Sequence, residues 1–181
     1  MNREQAAELV KQNVKNENLF KHMLAVEAIM KGVAKHLNED TELWGMTGLL
    51  HDIDFEKAEH KEHGLVAEQL LNSKVSEEII RAIKSHNFEN TNIMPQTKME
   101  KVLVASDSLS GLVIACALII PTKKLADLEI KTIENKFKQK DFARNCSREK
   151  ILICKHVGLD KEKFFEIALK SLQEISKELG L

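Results

Sequence analysis

Tyrosine is absent from this sequence, tryptophan occurs once, and aromatic residues make up only 4% of the chain. Proteins that hold single-stranded nucleic acid stack its bases on aromatic side chains inside a basic groove. The formal net charge of -1 removes the basic half of that requirement as well. A nuclease with a large nucleic-acid track is therefore not expected, and no global charge drives the chain to a membrane surface. Proline (2) and glycine (7) are scarce, and no stretch alternates like a strand. Leu, Ile, Lys, Glu and Ala dominate, a bias that favours helices. The three cysteines, Cys116, Cys146 and Cys154, form no Cys-x-x-Cys pair and are odd in number. Reduced thiols in a cytoplasmic protein follow from that pattern. The polar start, Met1 to Gln5, leads into no apolar segment of the signal-peptide kind. The longest apolar run, Leu109 to Pro121, is too short to cross a bilayer. It reads as a buried helix, with a dimer contact as its secondary use.

What is present is an ordinary soluble composition, 43% hydrophobic and 30% charged over 181 residues, enough for one domain with a sizeable core. Apolar positions recur at helical spacing along most of the chain. A first helix is expected from about Arg3 to Val14, and Asn16 or Asn18 can cap a long buried one from Leu19 to Leu37. A third, with Thr41 as its cap, runs from Glu42 to His51. Gly45 and Gly48 on it allow close helix approach. The charged stretch from Phe55 to Glu62 reads as a loop. His63-Gly64 opens a short helix, Ser76 caps another that ends at His86, and Asn90 to Pro95 is a loop. Helical signal resumes from Lys98 to Asp107. It appears again over Leu125 to Phe137, Cys146 to Val157 and Lys161 to Leu179, with Ser147 and Asp160 as caps for the last two. The expected architecture is all-α: one helical bundle spanning residues 1–181, with a C-terminal helical extension over about 125–181.

Some residues in this pattern are out of place for a plain bundle. Gly48-Leu49-Leu50 runs straight into His51-Asp52, and Asp54 follows. His22 lies in a long apolar helix, His63 opens one, and His86 closes one. Asp107 comes directly after Val104-Ala105-Ser106. A carboxylate in such a setting costs several kcal/mol unless it is paired or coordinated. The plainer alternative is that it caps a helix from Ser108 to Ile120. Each of these residues has a bland explanation. Together they make an ordered series, His, His-Asp, His, His, Asp, over five successive helices, and a bundle can converge such residues on one interior point. A mixed imidazole and carboxylate set suits Fe, Mn, Ni or Zn. A metal held there lowers the pKa of water and offsets charge on a phosphoryl oxygen.

His22, Leu49-Leu50-His51-Asp52, His63-Gly64, Ala82-Ile83-Lys84-Ser85-His86 and Val104-Ala105-Ser106-Asp107 together resemble the HD-domain metal-dependent phosphohydrolases. The resemblance covers about residues 19 to 115. It implies a first metal held by His22, His51, Asp52 and Asp107. In branches with two metals, it implies that Asp52 bridges while His63 and His86 hold the second. One or two divalent ions are thus expected, as in the branch that hydrolyses diadenosine tetraphosphate. His60 rivals His63 but sits in the charged loop. Asp54 departs from the family's common His-Asp-Ile-Gly form and is either a partner of a ligand histidine or a helix cap. The implied substrate is a nucleotide or another small phosphoester. Alongside Asp52, Lys57 and Arg144 are the candidate catalytic cations, with Lys84, Lys136 and Lys140 behind them. Arg144 is preferred because a guanidinium contacts phosphate bidentately. His36 and His156 are expected at the surface. The competing reading is a non-catalytic metal- or nucleotide-binding module with a regulatory role.

Overall fold

The computed structural model describes every residue of the chain except His60. Among the described residues there is no strand, and the helices run in the order expected from the apolar periodicity. They are α1 (Arg3–Asn13), α2 (Glu17–Leu37), α3 (Thr41–Leu50), α4 (Leu65–Leu71), α5 (Glu77–His86), α6 (Phe88–Thr91), α7 (Lys98–Ile119), α8 (Ile130–Lys138), α9 (Arg148–Leu152), α10 (Lys161–Glu174) and α11 (Ser176–Leu179). Short 3-10 segments, Leu125–Asp127 and Ile153–Val157, sit among the last of them.

Capping residues set the starts. Asn2 and Gln5 form a capping box on α1, and the Asn16 side chain accepts from the amides of Asn18 and Leu19 on α2. The cap of α3 is Asp40 rather than Thr41, because its carboxylate takes the amides of Glu42 and Leu43. Ser147 accepts from Lys150 N as expected, whereas Ser76 and Asp160 occupy cap positions without a side-chain bond. The expected loop at Asn90 is delayed by the single turn of α6. Helical signal over Leu125 to Phe137 becomes a 3-10 turn followed by α8, and Cys146 to Val157 shortens to α9 plus a 3-10 turn.

The largest revision is α7. Thr97 and Glu100 form its capping box, no proline interrupts it, and its single glycine, Gly111, is tolerated within it. The helix therefore runs unbroken for 22 residues, so Asp107 sits mid-helix and caps nothing. By length and composition α7 is the one described helix that could cross a membrane, yet it is mostly buried inside the fold. It packs against α2, α5, α9 and α10.

Two apolar clusters fill the interior. One joins α1, α3, α4 and α5 through Val10, Leu49, Leu50, Leu71 and Ile83. The other joins α2 and α7 to the C-terminal helices through Ile29, Val33, Leu103, Leu109, Phe164 and Phe165. The C-terminal extension thus shares a core with α2 and α7. At Gly48 the α2 and α3 backbones nearly touch, since a Cβ there would lie 2.9 Å from Glu27 Cα. That approach brings the end of α3 beside the face of α2 that carries His22.

Candidate metal centre

Six side chains meet where these helices converge. His22 comes from the second turn of α2, His51 and Asp52 from the end of α3, and His63 from just before α4. His86 is the last residue of α5, and Asp107 lies in mid-α7. His51 is fully buried, and Asp52, His63 and His86 nearly so. The His22 and Asp107 side chains keep 24% and 30% of their surface, so the cluster is open on that side.

Asp52 stands at the middle. Its Oδ1 lies 3.3 Å from His51 Nε2, 3.0 Å from His63 Nε2 and 3.4 Å from His86 Nε2. Its Oδ2 faces His22 Nε2 at 3.6 Å. Asp107 Oδ1 is 3.2 Å from His22 Nε2 and 4.0 Å from His51 Nε2. Two sets of donors have mutual distances fit for one ion, His22–His51–Asp107 and His51–Asp52–His86.

The outer nitrogen of every ring is held. His51 Nδ1–H donates to Gly48 O at 2.8 Å, and His86 Nδ1–H donates to Ile83 O. His63 Nδ1–H donates to Asp54 Oδ1 at 2.8 Å. Ser110 Oγ donates to Asp107 O at 2.8 Å, which leaves it to accept from His22 Nδ1–H at 3.2 Å. Carbonyl and carboxylate oxygens only accept, so these contacts fix the tautomers and aim the Nε2 lone pairs inward. His63 Nε2 is then 2.9 Å from His86 Nε2, and His22 Nε2 is 3.2 Å from His51 Nε2. Two lone pairs at that distance repel unless a cation lies between them. With bonds of about 2.1 Å, neighbouring ligand atoms on a metal stand about 3.0–3.4 Å apart, which matches most of the spacings here. The donor set therefore fits one or two transition-metal ions, and the outer partners are of the kind that orient metal-bound imidazoles.

The electrostatics agree. Burial alone would strip the charge from the His63 ring, but Asp52 and Asp54 overcome it and lift its pKa to about 10. His22 is likewise raised against burial by Asp107 and Asp52. Burial pushes the Asp52 carboxyl up, yet His51, His63 and His86 hold it well below the carboxylate range, and His22 does the same, less strongly, for Asp107. Positive charge, as protons or as metal, is what this pocket is built to hold.

Asp54 resolves its two sequence readings by filling both. It is fully buried, with Oδ1 on His63 and Oδ2 accepting from Gly64 N and Ala67 N at 2.8 Å each. It thus orients a ring and caps α4, whose own cap position is glycine. Gly64 adopts φ +92°, and a Cβ there would press on Ile83 O at 3.2 Å, so glycine is required for the turn. His60 lies outside the described residues. His36 and His156 are exposed, as expected.

The candidate cations are not gathered at the cluster in the same way. Lys57 is exposed, and its amine donates to Asn13 Oδ1 at 2.6 Å. Lys84 pairs with Glu68, Lys136 with Gln139, and Lys140 is exposed. Arg144 is also exposed, on a loop whose far end nears the centre. Cys146 Sγ packs against Gly111, one turn beyond Asp107 on α7. Burial pushes the Cys146 thiol up, against the nearby Arg148 guanidinium, and Asp107 adds to the rise. What shapes the loop is Arg148, which the sequence reading passed over. Its guanidinium donates to the carbonyls of Lys136, Phe137, Gln139, Phe142, Ala143 and Cys146. Ser110 and Arg148 went unnoticed because their partners are backbone atoms or residues far along the chain. Serine one turn after a candidate ligand on the same helix is the only cue that pointed to Ser110.

The sequence model of the family described as HD domain matches residues 19–112, more than half of the chain. All six clustered side chains, Asp54 and Ser110 fall within the match, whereas Arg144 and Arg148 fall outside it. No curated protein and no solved structure gives a match.

Proposed function

The chain belongs to the HD-domain family, and we propose that it is a metal-dependent phosphohydrolase acting on a nucleotide or another small phosphoester. The observation that carries this reading is the convergence of four tautomer-fixed imidazoles and two carboxylates on one partly open point. A purely structural bundle has no use for buried histidines whose nitrogens face each other. His22, His51, Asp52 and Asp107 would hold one divalent ion, and His63 and His86 a second, with Asp52 shared between them. When bound, such ions lower the pKa of water and offset negative charge on the phosphoryl group.

The protein's own groups supply the rest. The Nδ1–H bonds to Gly48, Ile83, Asp54 and Ser110 hold the rings in place, so the donors are organised before substrate arrives. Asp52, with its carboxyl held ionised, can accept hydrogen bonds at the centre of the cluster. The open side at His22 and Asp107 is the route for a phosphate. Arg144, exposed on the Arg148-held loop two residues before Cys146, is our candidate guanidinium to meet it. Lys57 is engaged as a tie to α1, through Asn13.

Purified protein is expected to carry about one or two equivalents of transition metal and to release phosphate from a member of a nucleotide and sugar-phosphate panel. Asp52→Ala should lose both the metal and the activity. Unchanged metal content in that variant would overturn the site assignment. Metal retention with no turnover over the whole panel would favour the regulatory binding module instead.

A further inference from the structure

Phe55 is the one aromatic side chain among the described residues that stands out as exposed, with 49% of its surface open. Leaving about half of a phenylalanine in water forgoes about half of what its full burial contributes. A slack loop would tuck it away, but this loop is not slack. Ile53 and Asp54 before it are fully buried, and Asp54 uses both oxygens. After it, the Glu56 carboxylate accepts from Lys15 N at 2.9 Å and Asn16 N at 2.7 Å. Lys57 donates to Asn13. The neighbours on both sides are thus anchored, to the interior or to the joint between α1 and α2, and Phe55 is held outward.

It is also held in a particular place. Its ring meets the His63 ring edge to face, with centroids 5.2 Å apart. His63 Nε2 in turn lies 3.0 Å from Asp52. The exposed ring is thus linked to Asp52, at the middle of the cluster, through the one side chain of His63.

The geometry points to Phe55 as a specificity-determining residue. Its exposed surface stacks a flat unsaturated ring of the substrate, of the nucleobase kind, while the phosphate lies at the donor cluster. The phosphate half of this assignment rests on the phosphohydrolase reading above; the ring contact does not. Stacking on an aromatic side chain tolerates different bases, since every base has a π face.

The test compares the adenosine, guanosine, cytidine and uridine 5′-monophosphates with ribose 5-phosphate, which shares their phosphosugar and lacks the base. Equilibrium binding is measured with and without added Mn²⁺, and phosphate release is measured in parallel, for the wild type, Phe55→Ala, Phe55→Leu and Phe55→Trp. The wild type should bind at least one nucleotide more tightly than ribose 5-phosphate. Phe55→Ala should weaken that nucleotide by roughly tenfold and leave ribose 5-phosphate within about twofold. Phe55→Trp should retain the preference. Far-UV circular dichroism and bound metal confirm that each variant is folded.

Equal weakening of both ligands by Phe55→Ala overturns the proposal, since the ring would then only support His63. So does the absence of any base preference in the wild type. Full discrimination in Phe55→Leu would also overturn it, because the surface would then take alkyl groups rather than rings. A dimer that Phe55→Ala turns into monomer would assign the ring to a second copy of the chain. A base preference that depends on Phe55, with no phosphate released from any compound, would uphold the proposal and remove the hydrolase reading. Phosphate release without base dependence would do the reverse.

Discussion

Asp54→Asn changes one atom and almost no volume, yet the geometry makes it a switch for the His63 tautomer. Oδ2 accepts from both Gly64 N and Ala67 N, so that position must remain an oxygen. The amide nitrogen then occupies the place of Oδ1, 2.8 Å from His63 Nδ1. Two N–H groups cannot face each other, so His63 must carry its proton on Nε2 instead. That proton would point at Asp52 and His86, where a lone pair is needed for a metal. Loss of a partner that orients a ligating histidine weakens metal binding by about 10- to 100-fold, or roughly 1.4–2.7 kcal/mol. Stability should fall too, because the amides of Gly64 and Ala67 would face a neutral acceptor rather than a charged one. At about 1 kcal/mol for each bond, and 2–4 °C per kcal/mol for a chain of about this size, Tm should drop by roughly 4–8 °C. Chelator-competition titration and elemental analysis read the metal term, a thermal melt reads the other, and ring ¹⁵N shifts report the tautomer. A variant that melts lower but binds metal with wild-type affinity and stoichiometry would refute the reasoning. Asp54 would then be a helix cap and nothing more.

Two further perturbations test the frame around the centre. Gly48→Ala would place a Cβ 2.9 Å from Glu27 Cα and N, where the obstacle is backbone and cannot swing away. Overpacking costs about 1–3 kcal/mol against roughly 1 kcal/mol gained in helix propensity, so a thermal melt should show a net loss of up to about 2 kcal/mol, and a raised Tm would deny the contact. Glu100 is almost fully buried; burial raises its carboxyl pKa, but Arg81 and the amides of Gln96 and Thr97 outweigh that and leave it lowered. Its contribution to stability is therefore complete above about pH 4.5, the unfolded value, and is lost as pH falls through the lower folded value. In acid titrations, Glu100→Gln should be the less stable protein near neutrality, with the gap narrowing below pH 4.5, and a gap independent of pH would show that the charge is not what matters.

The donor cluster was legible because each of its members breaks a pattern. His51-Asp52, His63 and His86 stand at the ends of apolar helices, and Asp107 follows an apolar run. Polar groups in such places demand partners, and they supply part of that need to one another. The outer contacts were illegible for a physical reason. Gly48 O and Ile83 O are main-chain atoms that any residue would provide. Asp54 is the exception: the sequence offered it as a histidine's partner or a helix cap, and it is both. Arg148 was passed over because its partners are all carbonyls, which leave no mark in the sequence. Asp107 was open to misreading as a cap because Asp is common at helix starts. Helix propensity and the capping box at Thr97 carry α7 straight through it.

The charge arrangement also explains why Asp rather than the family's usual glycine can stand at position 54. Asp52, Asp54 and Asp107 bring three carboxylates to one region, and uncompensated they would repel strongly. His63 lies between two of them, bonded to Asp54 on one edge and near Asp52 on the other. Without metal, a proton on that ring offsets both, which is the cause of its pKa of about 10. A metal held at Nε2 would supply the same compensation, with Asp54 still bonded to Nδ1–H. The added carboxylate is thus paired in either state, and the same oxygen atoms that balance charge also start α4 and set the angle at which His63 enters the centre. A glycine at position 54 would leave both tasks to the backbone. Here one buried side chain, Asp54, joins the start of α4 to the orientation of the His63 ring.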